Sequence, residues 1–449
     1  MQTAEHKKTI TAWTMYDWAN STFATSIMAA ILPVYYSSVA SQGIAPNIAT
    51  ANWAFTTTIA LVIVAIAGPI LGAMADFSGR KKRFMSAFVL LGVTATALLY
   101  FVSTGDWLLA SVIYIFGNIG FSGANVFYDS LLPHITTEDE IDQVSSRGYA
   151  MGYLGGGILL AVNLAMILFL PGVLPNIFPA LAAYSEGELT ALMTRISFLT
   201  VAVWWFAFTI PLWLHVKEPP RRINESEKGK TIFNASLGRL YNTFKDIRRY
   251  KELLKFLIAF WLYNNGIGTI IFMATIYGTE LGFSSTVTIG TLLMVQFVAI
   301  PFAILFGWLA KKIGTKPSIL LSIGVYTLIA IGGYFLQTPV HFFLLGFAVG
   351  TVQGGSQALS RSLFGRMLPK SKSAEFYSFF SVSEKIAGTA GPLLFGIVSR
   401  IMGGSRLSIV SLIIFFFTGG ILLYFVNEKE GIRVAQEEET MLQQTVNAA

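Results

Sequence analysis

The chain has no cysteine, only 4 histidines, and charged residues at just 12% of its 449 positions. The absence of cysteine removes disulfide frameworks, thiol catalysis and cysteine metal sites, and it leaves the redox compartment open. His6, His134, His215 and His341 are scattered at the ends of apolar runs, so no metal cluster is expected. The shortage of charge excludes most. Soluble domains carry roughly 25% charged residues, and about half that cannot clothe a chain that is 54% hydrophobic and 14% aromatic. Lipid must solvate much of the surface, so a soluble enzyme and a disordered scaffold are both ruled out. No nucleophile–base arrangement is present, and Gly155-Gly156-Gly157 lies inside an apolar run without the Lys-Ser/Thr of a phosphate loop. We expect no enzymatic activity and no cofactor.

What the sequence does contain is long apolar runs. A spanning helix needs about 20 mostly apolar residues, and twelve such runs lie near 13–38, 52–75, 84–103, 107–132, 148–171, 193–215, 254–279, 286–310, 317–336, 340–366, 376–399 and 407–427. The expected fold class is therefore an all-α integral membrane protein of twelve helices in two six-helix bundles. Its parts would be a first bundle (1–215), a linker (216–253), a second bundle (254–428) and a tail (429–449). The first run is too long, and too polar at its start, for a secretory signal, so we expect an uncleaved first helix. With both termini on one side, 27 of the 31 Lys and Arg residues fall on that side's loops, Arg361 to Lys372 among them. That asymmetry predicts cytoplasmic termini. The positive charge is spread over many short loops rather than one patch, so nucleic acid is not an expected partner.

The linker opens with Pro219-Pro220, and beyond it Phe233, Leu237, Leu240, Tyr241, Phe244 and Ile247 recur at helical spacing. This predicts an amphipathic helix, either lying on the cytoplasmic leaflet or solvated as a connector. The halves echo one another. Gly72-Ala-Met-Ala-Asp76-Phe-Ser-Gly79-Arg80 ends the second run and Gly307-Trp-Leu-Ala-Lys311-Lys312-Ile-Gly314 ends the eighth; Leu132-Pro133 is matched by Leu368-Pro369, and Tyr16-Asp17 by Tyr263-Asn264. Parallel repeats of six helices are a transporter architecture.

Polar residues form stripes on four runs. Asp17, Asn20, Ser21 and Thr25 share a face of the first, and Asn118, Ser122, Asn125 and Asp129 a face of the fourth. Gln353, Gln357, Ser360 and Phe364 do so on the tenth, while the seventh carries Tyr263, Asn264 and Asn265 ahead of Gly266 and Gly268, a place for local unwinding. Such groups are costly in hydrocarbon and face a cavity or another helix; interhelical glue is the competing reading. The candidate substrate-binding set is Asn20, Asn118, Asn125, Tyr263, Asn264, Gln353, Gln357 and Lys385. Glu384, Asp17 and Asp129 are the candidate coupling or proton sites. Asp17 and Asp129 lie close to helix ends, where a cap or interfacial ion pair competes with a cavity role. Glu384 and Lys385 fall near the midplane and point about 100° apart, so each needs its own partner: Arg361 for Glu384, and Asp17 or a substrate carboxylate for Lys385. A buried structural network and a proton-coupled anion site both fit. Glu138, Asp139, Glu140 and Asp142 read as a solvated acidic turn pairing with Arg147. Gly148, Gly152 and Gly156 form a ladder that lets another helix approach closely.

The segment Gly72 to Arg83 resembles the loop signature between helices 2 and 3 of the major facilitator superfamily. Tyr16-Asp17-Trp18-Ala19-Asn20-Ser21, the stretch Ala124 to Pro133, Gly148 to Gly157 and Gln353 to Phe364 are similar to one branch of it. That branch is the family of the autophagy-related vacuolar amino-acid effluxer and its bacterial relatives. Asp129, Glu384 and Lys311 depart from the branch's pattern. The resemblance implies a secondary active transporter, with amino-acid export as substrate class and direction, and with helices 1, 4, 7 and 10 around a central cavity. It also implies a gating role for Gly72, Asp76, Gly79 and Arg80, with Asp76 capping the start of helix 11 near Ser373 to Glu375. The length suggests a bacterial protein of the cytoplasmic membrane, a monomer whose partners are a small-molecule substrate and membrane lipid. A non-transporting receptor or scaffold and a lipid translocator are the alternatives.

Overall fold

The computed structural model describes residues 3–220, 231–245, 247–402 and 405–447. Among these there are helices and connections and no strand. We label the long helices α1 (Ala4–Ala40), α2 (Pro46–Ser78), α3 (Lys81–Leu98), α4 (Trp107–Ile135), α5 (Ile141–Ile177) and α6 (Glu186–His215) in the first half. The second half has α7 (Lys251–Glu280), α8 (Ser285–Ile313), α9 (Thr315–Tyr334), α10 (Pro339–Met367), α11 (Ser373–Met402) and α12 (Ser405–Tyr424). A linker helix (Ile232–Lys245) and a tail helix (Glu428–Asn447) complete the described chain. Among the described residues, eleven helices are apolar and long enough to cross a membrane. The other long helix, α11, has 30 residues and includes the shorter apolar stretch Ala390–Met402.

Each half closes around its own aromatic-rich core. Trp13, Tyr16, Phe23, Tyr128 and Trp205 are interior in the first, and Phe256, Phe260, Tyr263, Phe364 and Phe380 in the second. The outer surface is apolar as well: Phe55, Ile66, Leu168, Phe169, Leu328 and Phe417 are all exposed. An exterior of that kind is stable where acyl chains, not water, are the solvent. The chain is a multi-pass membrane protein.

The first helix begins well before its apolar run. Thr3 caps it by accepting the His6 N–H at 3.2 Å, so Asp17 stands 13 residues from the helix start, about 20 Å at ~1.5 Å per residue. It is buried among the helices. Pro33 has no N–H to donate, and π-helical turns at Phe23–Ala30 and Tyr36–Ala40 flank it. The unwinding expected of α7 does not occur. Its helix runs unbroken through Gly266, whose missing side chain makes room for the Phe416 ring of α12: a Cβ there would lie 2.6 Å from Phe416 Cε1. Asn265 stays inside the helix, donating to the Trp261 carbonyl at 2.7 Å and accepting from the Gly391 N–H of α11 at 3.1 Å.

Both ends of the chain attach to the α4–α5 connection. His6 pairs with Glu140 at 2.8 Å, and Gln436 of the tail helix donates to Glu138 at 2.7 Å. We call this the terminal face. The linker helix buries Ala235, Ser236, Leu240 and Thr243 and lays Arg239 over the Phe77 ring at the end of α2. Phe233, Leu237 and Tyr241 remain on its exposed side; the side chains of Phe244 and Ile247 lie outside the described residues.

Candidate functional site

At the terminal face the last turn of α2 meets the first turn of α11. Gly72 makes the approach possible, because a Cβ there would lie 2.5 Å from the Ala374 carbonyl oxygen. Gly79 then ends α2 in a left-handed conformation, φ 64°, that glycine adopts without strain. The resulting geometry aims Asp76 at the start of α11. Its Oδ1 accepts the Ala374 N–H at 3.2 Å and its Oδ2 the Glu375 N–H at 2.8 Å. These are donors that a helix start leaves without intrahelical partners. Lys81 pairs with Asp76 at 2.8 Å and also donates to Ser373, while Lys81 and Ser373 both contact His134 of α4, at 3.0 and 3.1 Å. Arg80 is exposed; the basic residue built into this latch is its neighbour.

The related place in the second half is different. Gly307 packs on α5 as Gly72 packs on α11, with a Cβ position 2.8 Å from Ser146. Lys311, however, occupies the position related to Asp76, and it is exposed. The acid comes from the opposite side. Asp142, in the first turn of α5, accepts from Thr315 Oγ1 at 2.8 Å and Ser362 Oγ at 2.5 Å, and it pairs with Arg366. This corrects the reading of residues 138–142 as a solvated turn closed by Arg147. Asp142 is buried, Glu140 binds His6, and Arg147 donates to Thr11. Sequence reasoning passed over Asp142 and His134. The available signal was Lys311 itself: a basic residue where the repeat would place an acid calls for the acid elsewhere.

Deeper between the halves, Arg361 of α10 is buried. Its guanidinium bonds Asp129 at 3.1 Å, Asp17 at 3.2 and 3.3 Å, and both the hydroxyl and carbonyl of Ser145 at 2.9 Å. The Tyr149 ring lies 4.3 Å from it and the Trp13 ring 5.0 Å. Tyr128 donates to Asp17 at 2.7 Å. Two of the glycine-ladder positions make the space: a Cβ at Gly148 would overlap the Asp17 carboxylate and reach 2.9 Å from Arg361 Nη2, and one at Gly152 would lie 2.5 Å from Ser21 Oγ. Arg361 is thus not a loop residue, and its guanidinium goes to Asp17 and Asp129 rather than to Glu384. Buried this way it meets the rule that an interior charge be paired.

The neutral candidates form short bridges. Asn20 donates to Asn125 at 2.5 Å, joining α1 to α4, and Asn118 links Tyr114 at 3.1 Å to Ser122 at 2.9 Å within α4. Tyr263 and Ser360 are 2.6 Å apart, and Asn264 reaches the Glu384 carbonyl at 3.5 Å. Tyr153 of α5 donates to Gln357 of α10 at 2.6 Å, across the halves, and Gln353 is buried one turn earlier. None of Asn20, Asn125, Asn264 and Gln357 is exposed on the outer surface. Glu384 is half-buried; the side chain of Lys385 lies outside the described residues, so its candidate partners are not assigned.

Residues 47–436 match the family described as Vacuole effluxer Atg22 like. The chain belongs to that family. An uncharacterized MFS-type transporter of Bacillus subtilis (strain 168), YxiO, is 38% identical across 96% of this chain and 97% of its own length. Autophagy-related protein 22 of Coccidioides immitis (strain RS) is 25% identical across 96% of this chain and 88% of its own. Two solved structures share the fold. The proton:xylose symporter XylE aligns at TM-score 0.66 with 13% identity, covering 95% of this chain and 96% of that one. The transporter FucP in its outward conformation aligns at 0.66 with 12% identity, covering 94% and 99%. The Atg22-like chain is therefore a major facilitator superfamily transporter in fold. Its two latches and the Arg361 cluster sit where the halves of such a fold meet.

Proposed function

We propose that this protein moves a small polar solute, with amino acids as the leading class, by alternating access between its two halves, driven by a proton gradient. One observation carries the reading: most of the side-chain hydrogen bonds that join the halves gather at the terminal face and at Arg361, with Tyr153–Gln357 deeper between them, so the halves are held together by breakable polar latches. An interface meant to be permanent would be larger and apolar throughout. Opening the terminal face requires Asp76 to leave α11, Asp142 to leave Arg366, and Arg361 to leave Asp17 and Asp129. The solute would bind among Asn20, Asn125, Asn264, Gln353 and Gln357, amides that both donate and accept and so suit a zwitterion.

Coupling follows from charge counting. Two carboxylates share one guanidinium, so the buried cluster holds one negative charge in excess, and a single proton taken up by the cluster neutralises it. A lone uncompensated charge opposes movement through hydrocarbon, so proton occupancy selects which conformer is accessible. Twelve spans with the terminal face toward the cytoplasm of a bacterium agree with the positive-charge asymmetry of the loops. Monomeric purified protein in proteoliposomes tests the reading. Saturable counterflow of an amino acid, accelerated by an imposed pH gradient, is expected; no counterflow across amino acids, sugars and organic anions would leave the receptor or lipid-translocator alternatives.

A further inference from the structure

Glu375 is the second acidic residue at the terminal-face latch, and neither the family signature nor the transport reading uses it. It sits at the third position of α11, ahead of the apolar run 376–399 and outside the spanning segment. Its side chain is wholly buried, 0% exposed, and neither carboxylate oxygen makes a hydrogen bond. Thr243 of the linker helix faces it and offsets part of the cost of burial, without a hydrogen bond of good geometry. Its backbone N–H is held by Asp76, so the carboxyl is carried into the interface each time α11 docks.

The groups around it compensate the charge only in part: Lys372 and Arg239 favour the carboxylate, while Asp76 and burial oppose it. Asp76 on α2 is an acid already committed to Lys81 and to the α11 donors. Lys372, just before α11, pairs with Glu438 of the tail helix at 2.9 Å and donates to Tyr250 at 3.2 Å. Arg239 of the linker helix is over the Phe77 ring. His134 of α4 is engaged with Lys81 and Ser373. A carboxylate stripped of water without a hydrogen bond in exchange is unfavourable, and the neutral acid is the form such a site accepts.

We propose that Glu375 is a proton-binding site built into the terminal-face latch: closing the latch takes up one proton from that face, and opening it returns the proton there. The chemistry balances simply, carboxylate plus proton giving the acid on closure and the reverse on opening. This inference rests on the alternating-access reading. Burial raises the Glu375 carboxyl from 4.5 to about 7. A latch open to water would leave it near 4.5, so the closed conformer is most favoured below that pH. Its advantage then falls between about 4.5 and 7 and is constant above. Each unit of difference is a factor of ten, so the closed-to-open ratio should fall by ~300-fold from one limit to the other.

The lack of cysteine makes the test direct. Spin labels at Asp139→Cys and Lys312→Cys, exposed positions in the two halves, report the separation across the terminal face in liposomes from pH 4.5 to 8. We expect the short-distance population to shrink as pH rises in the parent and to stay high at every pH in Glu375→Gln. His134→Gln should keep the parent's pH response. A pH-independent parent, or a Glu375→Gln variant that still titrates, overturns the proposal. Should Glu375→Gln fail to fold, Glu375→Met carries the same expectation. If the label distances titrate as expected while no solute shows counterflow, the proton site stands and the transport reading falls.

Discussion

Neutralising Asp142 isolates the second latch, since its polar partners Thr315, Ser362 and Arg366 all belong to the opposite half. In Asp142→Asn the amide keeps one acceptor for Ser362 or Thr315 but turns its nitrogen, a donor, toward Arg366. Side-chain exposure is 6% for Asp142 and 18% for Arg366, so solvent screens the pair only in part. Removing one member of a buried pair costs ~3–5 kcal/mol; charge-assisted hydrogen bonds are worth ~1.5–3 kcal/mol each. Allowing for the retained hydrogen bond and for the partial exposure of Arg366, we expect the closed conformer to lose about 2 kcal/mol, a ~30-fold change in the closed-to-open ratio. The spin-label pair across the terminal face would read this as growth of the long-distance population at fixed pH. Adding Arg366→Gln removes the stranded guanidinium and should restore part of the loss, giving a coupling energy of ~1–2 kcal/mol in the double-mutant cycle. An unchanged distance distribution in Asp142→Asn, or strictly additive effects of the two substitutions, would refute the latch.

Three further outcomes are expected. Gly148→Ala places a methyl on the Asp17 carboxylate and against Arg361; overpacking of this kind costs ~1–3 kcal/mol, so the melting temperature and the transport rate should fall together, whereas Gly172→Ala, with open space around it, should change neither. Asn125→Ala leaves Asn20 without its partner across α1 and α4 and should weaken solute affinity by ~10-fold in a binding titration. Glu438→Gln releases Arg249 and Lys372 from the tail helix; those pairs are partly exposed, so the closed population should change by less than about fivefold and the effect should vanish in high salt.

Much of the architecture was legible because lipid imposes a strict code. Apolar runs of spanning length must be helices, since backbone groups in hydrocarbon can only bond within their own segment. Charge scarcity, run length and the repeated Gly72 and Gly307 segments therefore marked a membrane protein of two related halves, and among the described residues eleven helices are apolar and long enough to span. The polar stripes were equally readable, because helical spacing puts Asn118, Ser122 and Asn125 on one face whatever lies opposite.

What spacing could not give is which faces meet. Arg361 sits among basic loop residues in the sequence, yet helix packing carries it inside to Asp17 and Asp129, residues 344 and 232 positions away. Asp142 reads as one acid in an acidic turn, and only the approach of α9 and α10 turns it into a latch. The gap left by Lys311 and its filling by Asp142 come from opposite halves of the chain. Periodicity describes a helix's own surface; electrostatic partnership depends on the separation between helices, and Coulomb energy falls with distance and with solvent exposure. The sequence determined which surfaces would be polar, and the tertiary structure alone decided which charges would neutralise one another.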